Sequence, residues 1–123
     1  MTPKIIYMTN VDRRYFMMRR ALDELIADGE MPASSQVVKT EDGSVWSASW
    51  EEKLRGSALV MIRFMGNTIR TKFWTACMHF LSREGIPYYM DAAGSAEEEC
   101  IERVAAQDIA AMKAYSFYGG LTN

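Results

Sequence analysis

The stretch ALVMIRFM, residues 58–65, holds seven apolar side chains and one charge, Arg63, and its reading decides the fold. A strand with one face in water alternates apolar and polar residues, whereas a strand covered on both faces is apolar almost throughout. ALVMIRFM is of the second kind. It predicts a central parallel strand over Ala58–Met65, with helices above and below the sheet.

Working outward, "GNT" after Met65 is a strand-to-helix turn. Thr68 to Glu84 then carries Ile69, Phe73, Cys77, Phe80 and Leu81 on one helical stripe, closed by Gly85 as a left-handed cap. Ile86 to Asp91, "IPYYMD", reads as a further strand, and its Pro87 cannot donate to a ladder, which favours a sheet edge. Ser95 and Glu98 form an S-x-x-E capping box, and the last helix runs through Ile101, Val104, Ala105, Ile109 and Met112 to Gly119.

Toward the amino terminus, Lys4 to Thr9 ("KIIYMT") predicts a buried strand. Asn10 follows as the N-cap of a helix with Asp12 in its first turn. Val11, Tyr15, Met18, Leu22, Leu25 and Ile26 recur at helical spacing, and Gly29 with Pro32 ends that helix. Gln36 to Thr40 predicts a weaker strand. Ser44 to Arg55, with Val45, Trp46, Trp50 and Leu54 three to four residues apart, predicts a short helix.

A strand–helix alternation repeated four times predicts an α/β domain: a three-layer, flavodoxin-like or Rossmann-like parallel sheet of about four strands in one domain, 1–123. The order 2-1-3-4 places the proline-bearing strand on an edge. A flavodoxin-like sheet usually carries a fifth strand beside the fourth, so the pattern reads as an incomplete or truncated domain.

Composition narrows the function. The chain has 14 basic and 16 acidic residues and a net charge of −2, which argues against a general polyanion binder, so no nucleic acid is expected as partner. No apolar run reaches the ~20 residues of a membrane span, and no signal-peptide layout precedes "KIIYM", so the expectation is a cytoplasmic protein with no membrane partner. Cys77 and Cys100 lack C-x-x-C spacing, and ten methionines suit a reducing compartment.

Ligands of open parallel sheets bind beyond the carboxyl ends of the strands. Those ends carry Asn10 with Arg13 and Arg14 behind it, then Gly66 and Asn67, then Asp91. Gly66 allows close backbone approach, and a helix starting at Thr68 presents free N–H groups to an anion; the plainer account is a tight turn and a cap. Arg63 interrupts an apolar strand. A buried arginine is costly without a partner, and Asp91 on the next strand or a bound anion would supply one. The candidate ligand rim is therefore Asn10, Arg13, Arg63, Gly66, Asn67 and Asp91. A single histidine, His79, two residues from Cys77 and so on another helix face, makes no metal site and no catalytic triad. "EEE" at Glu97–Glu99 reads as helix-dipole stabilisation, and Trp46, Trp50 and Trp74 as packing rather than base stacking. No catalytic residue is assigned.

Three segments together, "KIIYMTNVD", "WEEKLRGSALVMIRFMG" and "FLSREGIPYYM", followed by the closing "AYSFYGGLTN", resemble the amino-terminal region of cobaltochelatase large subunits of the CobN type, relatives of the magnesium chelatase large subunit. The likeness spans most of the chain in the family's order. It departs at Asn67, where the family often has a second glycine. The resemblance implies a small part of a much larger subunit that binds a tetrapyrrole and its metal, cobalt or magnesium as substrate ion. It also implies ATP hydrolysed by separate ATPase subunits, on the route to cobalamin; for the cobalt enzymes the tetrapyrrole is hydrogenobyrinic acid a,c-diamide. The partners it implies are the rest of the large subunit, those ATPase subunits and the tetrapyrrole, with the chemistry outside this chain and no cofactor within it. The alternative is a free-standing flavodoxin-like binding module for a nucleotide, flavin or corrinoid; a small enzyme with a rim active site stands behind both.

Overall fold

The computed structural model describes residues 4–41, 44–65, 72–93 and 101–118, of which 65, 91–93, 101–104 and 115–118 are described by backbone alone. Four parallel strands, β1 (Ile5–Thr9), β2 (Gln36–Lys39), β3 (Leu59–Met65) and β4 (Tyr88–Ala93), lie in the order β2-β1-β3-β4. Four helices fall among the described residues: α1 (Asp12–Ala27), α2 (Ala48–Leu54), α3 (Lys72–Arg83) and α4 (Ile101–Tyr118). The fold is the expected α/β, flavodoxin-like one.

Strand alternation divides the core in two. Ile6 and Met8 of β1 and Val60, Ile62 and Phe64 of β3 point to one face, where Leu54 of α2 and Phe73, Trp74, Cys77, Phe80 and Leu81 of α3 cover them. Trp46 and Trp50 close the rim of that cluster, their rings 6.4 Å apart and each in edge contact with Phe73. The intervening residues Ile5, Tyr7, Leu59 and Met61 point to the other face, under Met18 and Leu22 of α1 and Ala105 and Met112 of α4. Both faces of β1 and β3 are thus filled, which explains why ALVMIRFM is apolar at successive positions. No helix among the described residues is long and apolar enough to cross a membrane.

Boundaries moved where local hydrogen bonds compete with periodicity. α2 begins at Ala48, not Ser44, because Ser44 closes a turn: its hydroxyl donates to the Glu41 carbonyl at 2.7 Å and accepts from the Glu41 N–H at 3.2 Å. β4 begins at Tyr88, not Ile86, because the Ile86 N–H donates to the Leu81 carbonyl at 2.9 Å and the Gly85 N–H to Ser82 at 3.2 Å. That pair is a Schellman cap, with Gly85 at φ 68°. Pro87 therefore precedes the strand, and its carbonyl accepts from the Val60 N–H at 3.0 Å. The N-cap of α1 is Val11 rather than Asn10; the Thr9 hydroxyl accepts the Val11 N–H at 3.1 Å and carries the chain out of the strand one residue further. The expected start of α3 at Thr68 and the capping box at Ser95 and Glu98 lie outside the described residues.

Candidate functional site

The register sets the site. β1 and β3 pair with Thr9 opposite Arg63, and β3 pairs with β4 so that Arg63 stands opposite Asp91. Arg63 has the same facial sense as Met61 and Tyr7, toward α1 and α4. α4 runs back over that face, and its Asp108 descends onto the upper half of the sheet.

There Asp108 is 2 % exposed and takes three hydrogen bonds. Arg63 grips it side-on with one edge of the guanidinium, Nη2 donating to Oδ1 at 2.7 Å and Nε to Oδ2 at 3.1 Å. The Tyr7 hydroxyl donates to Oδ2 at 2.8 Å. Burial pushes the Tyr7 phenol well above its ordinary pKa, and the neighbouring Asp108 charge adds to the rise. For Arg63 burial opposes the cation, but the hydrogen bonds and charge of Asp108 prevail and hold it protonated. A phenol held neutral and a carboxylate engaged at both oxygens form a clamp rather than a proton-transfer pair.

Arg14, on the first turn of α1, completes the cluster on different terms. Its side chain is 0 % exposed, and Nη1 lies 3.8 Å from Asp108 Oδ2, yet Nε, Nη1 and Nη2 have no hydrogen-bond acceptor among the described residues. The guanidinium is near enough to Tyr7 to oppose the rise of its pKa without meeting it in hydrogen-bond geometry.

Beside the clamp, a pocket of about 370 Å³ opens between β3, β4 and α4. Leu59, Met61 and Ala111 give it an apolar lining; Arg63, Asp108, Gln107 and Tyr89 supply the polar part. The Arg63 guanidinium carbon stands 5.4 Å from the centre of the Tyr89 ring, a cation–π contact.

Of the residues expected at the rim, Arg63 is at the centre of the cluster. Asn10 is half-buried where β1 ends, whereas Arg13 is exposed and its neighbour Arg14 is the buried one. Asp91 occupies the expected register position, its side chain outside those described, as are Gly66 and Asn67 altogether. The acidic partner that sequence reasoning missed is Asp108. A signal existed: Asp108 lies three residues after Ala105 and four before Met112, on the stripe those two bury. Arg14 likewise sits four residues before Met18 on the buried stripe of α1. Cys77 is buried and His79 exposed, as their spacing predicts, and burial pushes the Cys77 thiol up to about 12. No group of three or more His, Cys, Asp or Glu able to hold a metal ion occurs among the described residues.

No family model matches the chain, and no curated protein is significantly similar to it.

Proposed function

We propose that this α/β unit is the amino-terminal, non-catalytic domain of a CobN-type cobaltochelatase large subunit, serving ATP-dependent insertion of a metal ion into a tetrapyrrole by enclosing substrate or contacting a neighbouring domain. The observation that carries this reading is strand β4. Among the described residues it is an edge strand, and it exposes two aromatic side chains, Tyr88 at 38 % on one face and Tyr89 at 47 % on the other, where Tyr89 lines the mostly apolar pocket at α4. An exposed aromatic edge beside an open apolar pocket suits a surface on which more protein packs. The order of the sequence segments resembling that family supports the same assignment.

The test is complementation in trans. A CobN-type large subunit lacking the corresponding amino-terminal region, mixed with its ATPase subunits, cobalt, ATP and hydrogenobyrinic acid a,c-diamide, is expected to insert metal poorly until this chain is added. Metal insertion by this chain alone, or no recovery on adding it, overturns the proposal.

A second reading, a free-standing binding module for a nucleotide, flavin or corrinoid, draws on the pocket itself, whose volume and apolar lining with a few polar groups are ordinary for a small-molecule site. Saturable binding of FMN, a nucleotide or cobalamin at that pocket, with no recovery in the complementation assay, would favour it.

A further inference from the structure

Arg19 and Asp23 stand one turn apart on α1, where opposite charges are neighbours and ordinarily pair. Here they do not. The Arg19 guanidinium is turned back onto Tyr15, with Nη1 donating to the phenol oxygen at 3.1 Å and the group 6.0 Å from the ring centre. The Asp23 carboxylate has no partner among the described residues.

A cavity of about 280 Å³ opens where the two diverge, between this stripe of α1 and the start of β2. Both charged side chains line it, with Tyr15 beside Arg19. Leu22, buried, and Val37, half-buried, give it an apolar floor that is continuous with the core under α1. Ser35, the residue before β2, lines it as well. Ser35 is 6 % exposed and its N–H is bonded to the Pro32 carbonyl at 3.0 Å, yet its hydroxyl has no partner among the described residues. Buried hydroxyls are nearly always bonded, and a serine hydroxyl turns about a single torsion to meet an occupant as donor or acceptor.

We propose that this cavity binds a free α-amino acid with a small apolar side chain. The lining carries one cation and one anion, so a zwitterion balances it, whereas a singly charged ligand leaves one of them unmet. One Arg19 nitrogen is committed to Tyr15; the other two remain to hold the ligand carboxylate in paired geometry. Asp23 receives the ammonium group, the ligand side chain lies over Leu22 and Val37, and the Ser35 hydroxyl turns to the nearer charged group. The volume lies just under the roughly 300–1,000 Å³ of ordinary small-molecule sites, which keeps the occupant small. β2 is the edge strand opposite β4 among the described residues, so the site is separate from the pocket at α4 and its test is independent of the chelatase reading.

The experiment titrates the nitrogen-labelled wild-type chain near neutral pH, at constant ionic strength, with L-valine, N-acetyl-L-valine and L-valinamide, and follows the backbone amide resonances. L-valine is expected to move the signals of Ser35, Gln36 and Tyr15 to Asp23 saturably, with a Kd below about 10 mM. Each of the other two ligands lacks one charge and is expected to bind at least about tenfold more weakly. Arg19→Gln and Asp23→Asn, both at exposed positions, should keep the fold and weaken L-valine by a similar factor. Asp23→Asn should also erase the preference for L-valine over N-acetyl-L-valine, and Ser35→Ala should weaken binding by about fivefold. Arg13→Ala, outside the cavity, should change nothing. No saturable movement with L-valine, as when water alone fills the cavity, equal binding of the three ligands, or undiminished binding by Asp23→Asn overturns the proposal.

Discussion

Replacing Asp108 by Asn changes one oxygen to an amide nitrogen and removes the carboxylate on which the upper half of the sheet is anchored. The structure allows the effect to be sized. Asp108 is 2 % exposed, accepts two hydrogen bonds from Arg63 and one from Tyr7, and is the nearest carboxylate to Arg14. An asparagine keeps one acceptor oxygen, so an Arg63 donor or the Tyr7 hydroxyl goes unmet, and two guanidiniums lose their buried counter-charge. Breaking a buried ion pair from one side costs about 3–5 kcal/mol, a large part of the 5–15 kcal/mol typical of a whole domain. With a urea m-value of about 2 kcal/mol/M, the unfolding midpoint of Asp108→Asn should fall by roughly 2 M with the slope unchanged. Tryptophan fluorescence reads it directly, since Trp74 is 1 % exposed in the native core. An all-apolar replacement, Tyr7→Phe, Arg14→Met, Arg63→Met and Asp108→Leu together, should return to within about 2 kcal/mol of the wild type, because apolar residues of similar volume often replace a buried ionic set without loss. If Asp108→Asn lowers stability by less than about 1 kcal/mol, Asp108 does not anchor the upper half of the sheet.

Two further tests probe the rest of the core. Burial raises the Cys77 thiol from 9.0 to about 12, so the unfolded chain gives up this proton first; stability from this group is full below about pH 9 and declines as pH rises toward 12. Cys77→Ala should flatten that part of the alkaline stability profile, and peptide mapping should find Cys77 unalkylated in the native chain at pH 8; rapid alkylation there would contradict its burial. Gly85→Ala should lower stability by about 1–2 kcal/mol, seen as a Tm decrease of roughly 4–8 °C. An added Cβ meets no atom within 4 Å, so the loss isolates the strain of φ 68°; an unchanged Tm would mean that the cap does not require that conformation.

What the sequence made legible follows from where each signal is local. ALVMIRFM contains its own argument, since a strand buried on both faces must be apolar on both. The order 2-1-3-4 also came out, although Pro87 stands just before β4 rather than within it. The Arg63 anomaly was visible at once because an ion inside an apolar run is improbable without a partner. That partner was not visible: it lies 45 residues away, and only the return of α4 onto the α1 face brings it there. The choice between Arg13 and Arg14 fails for a similar reason. One residue is about 100° around a helix, so a boundary uncertain by a single position exchanges the solvated residue for the buried one.

The two faces of the sheet show that the cluster is not simply what a core requires. Under α2 and α3 the filling is apolar and aromatic, and no buried ionic group lies on that face among the described residues. Under α1 and α4 the same strands begin that way, with Ile5, Leu59 and Met61, and then change character toward their carboxyl ends, where Tyr7, Arg14, Arg63 and Asp108 are enclosed. Burying that set costs more than the apolar solution adopted on the other side of the same strands. The change occurs at the end of the sheet where an open parallel fold places its ligands, and beside the switch between β1 and β3. Arg63 and Asp108 satisfy each other and so account for rigidity. Arg14 meets the same carboxylate only at ion-pair distance, 3.8 Å, and makes no hydrogen bond to it, so it adds charge balance without the rigidity of the Arg63 pair.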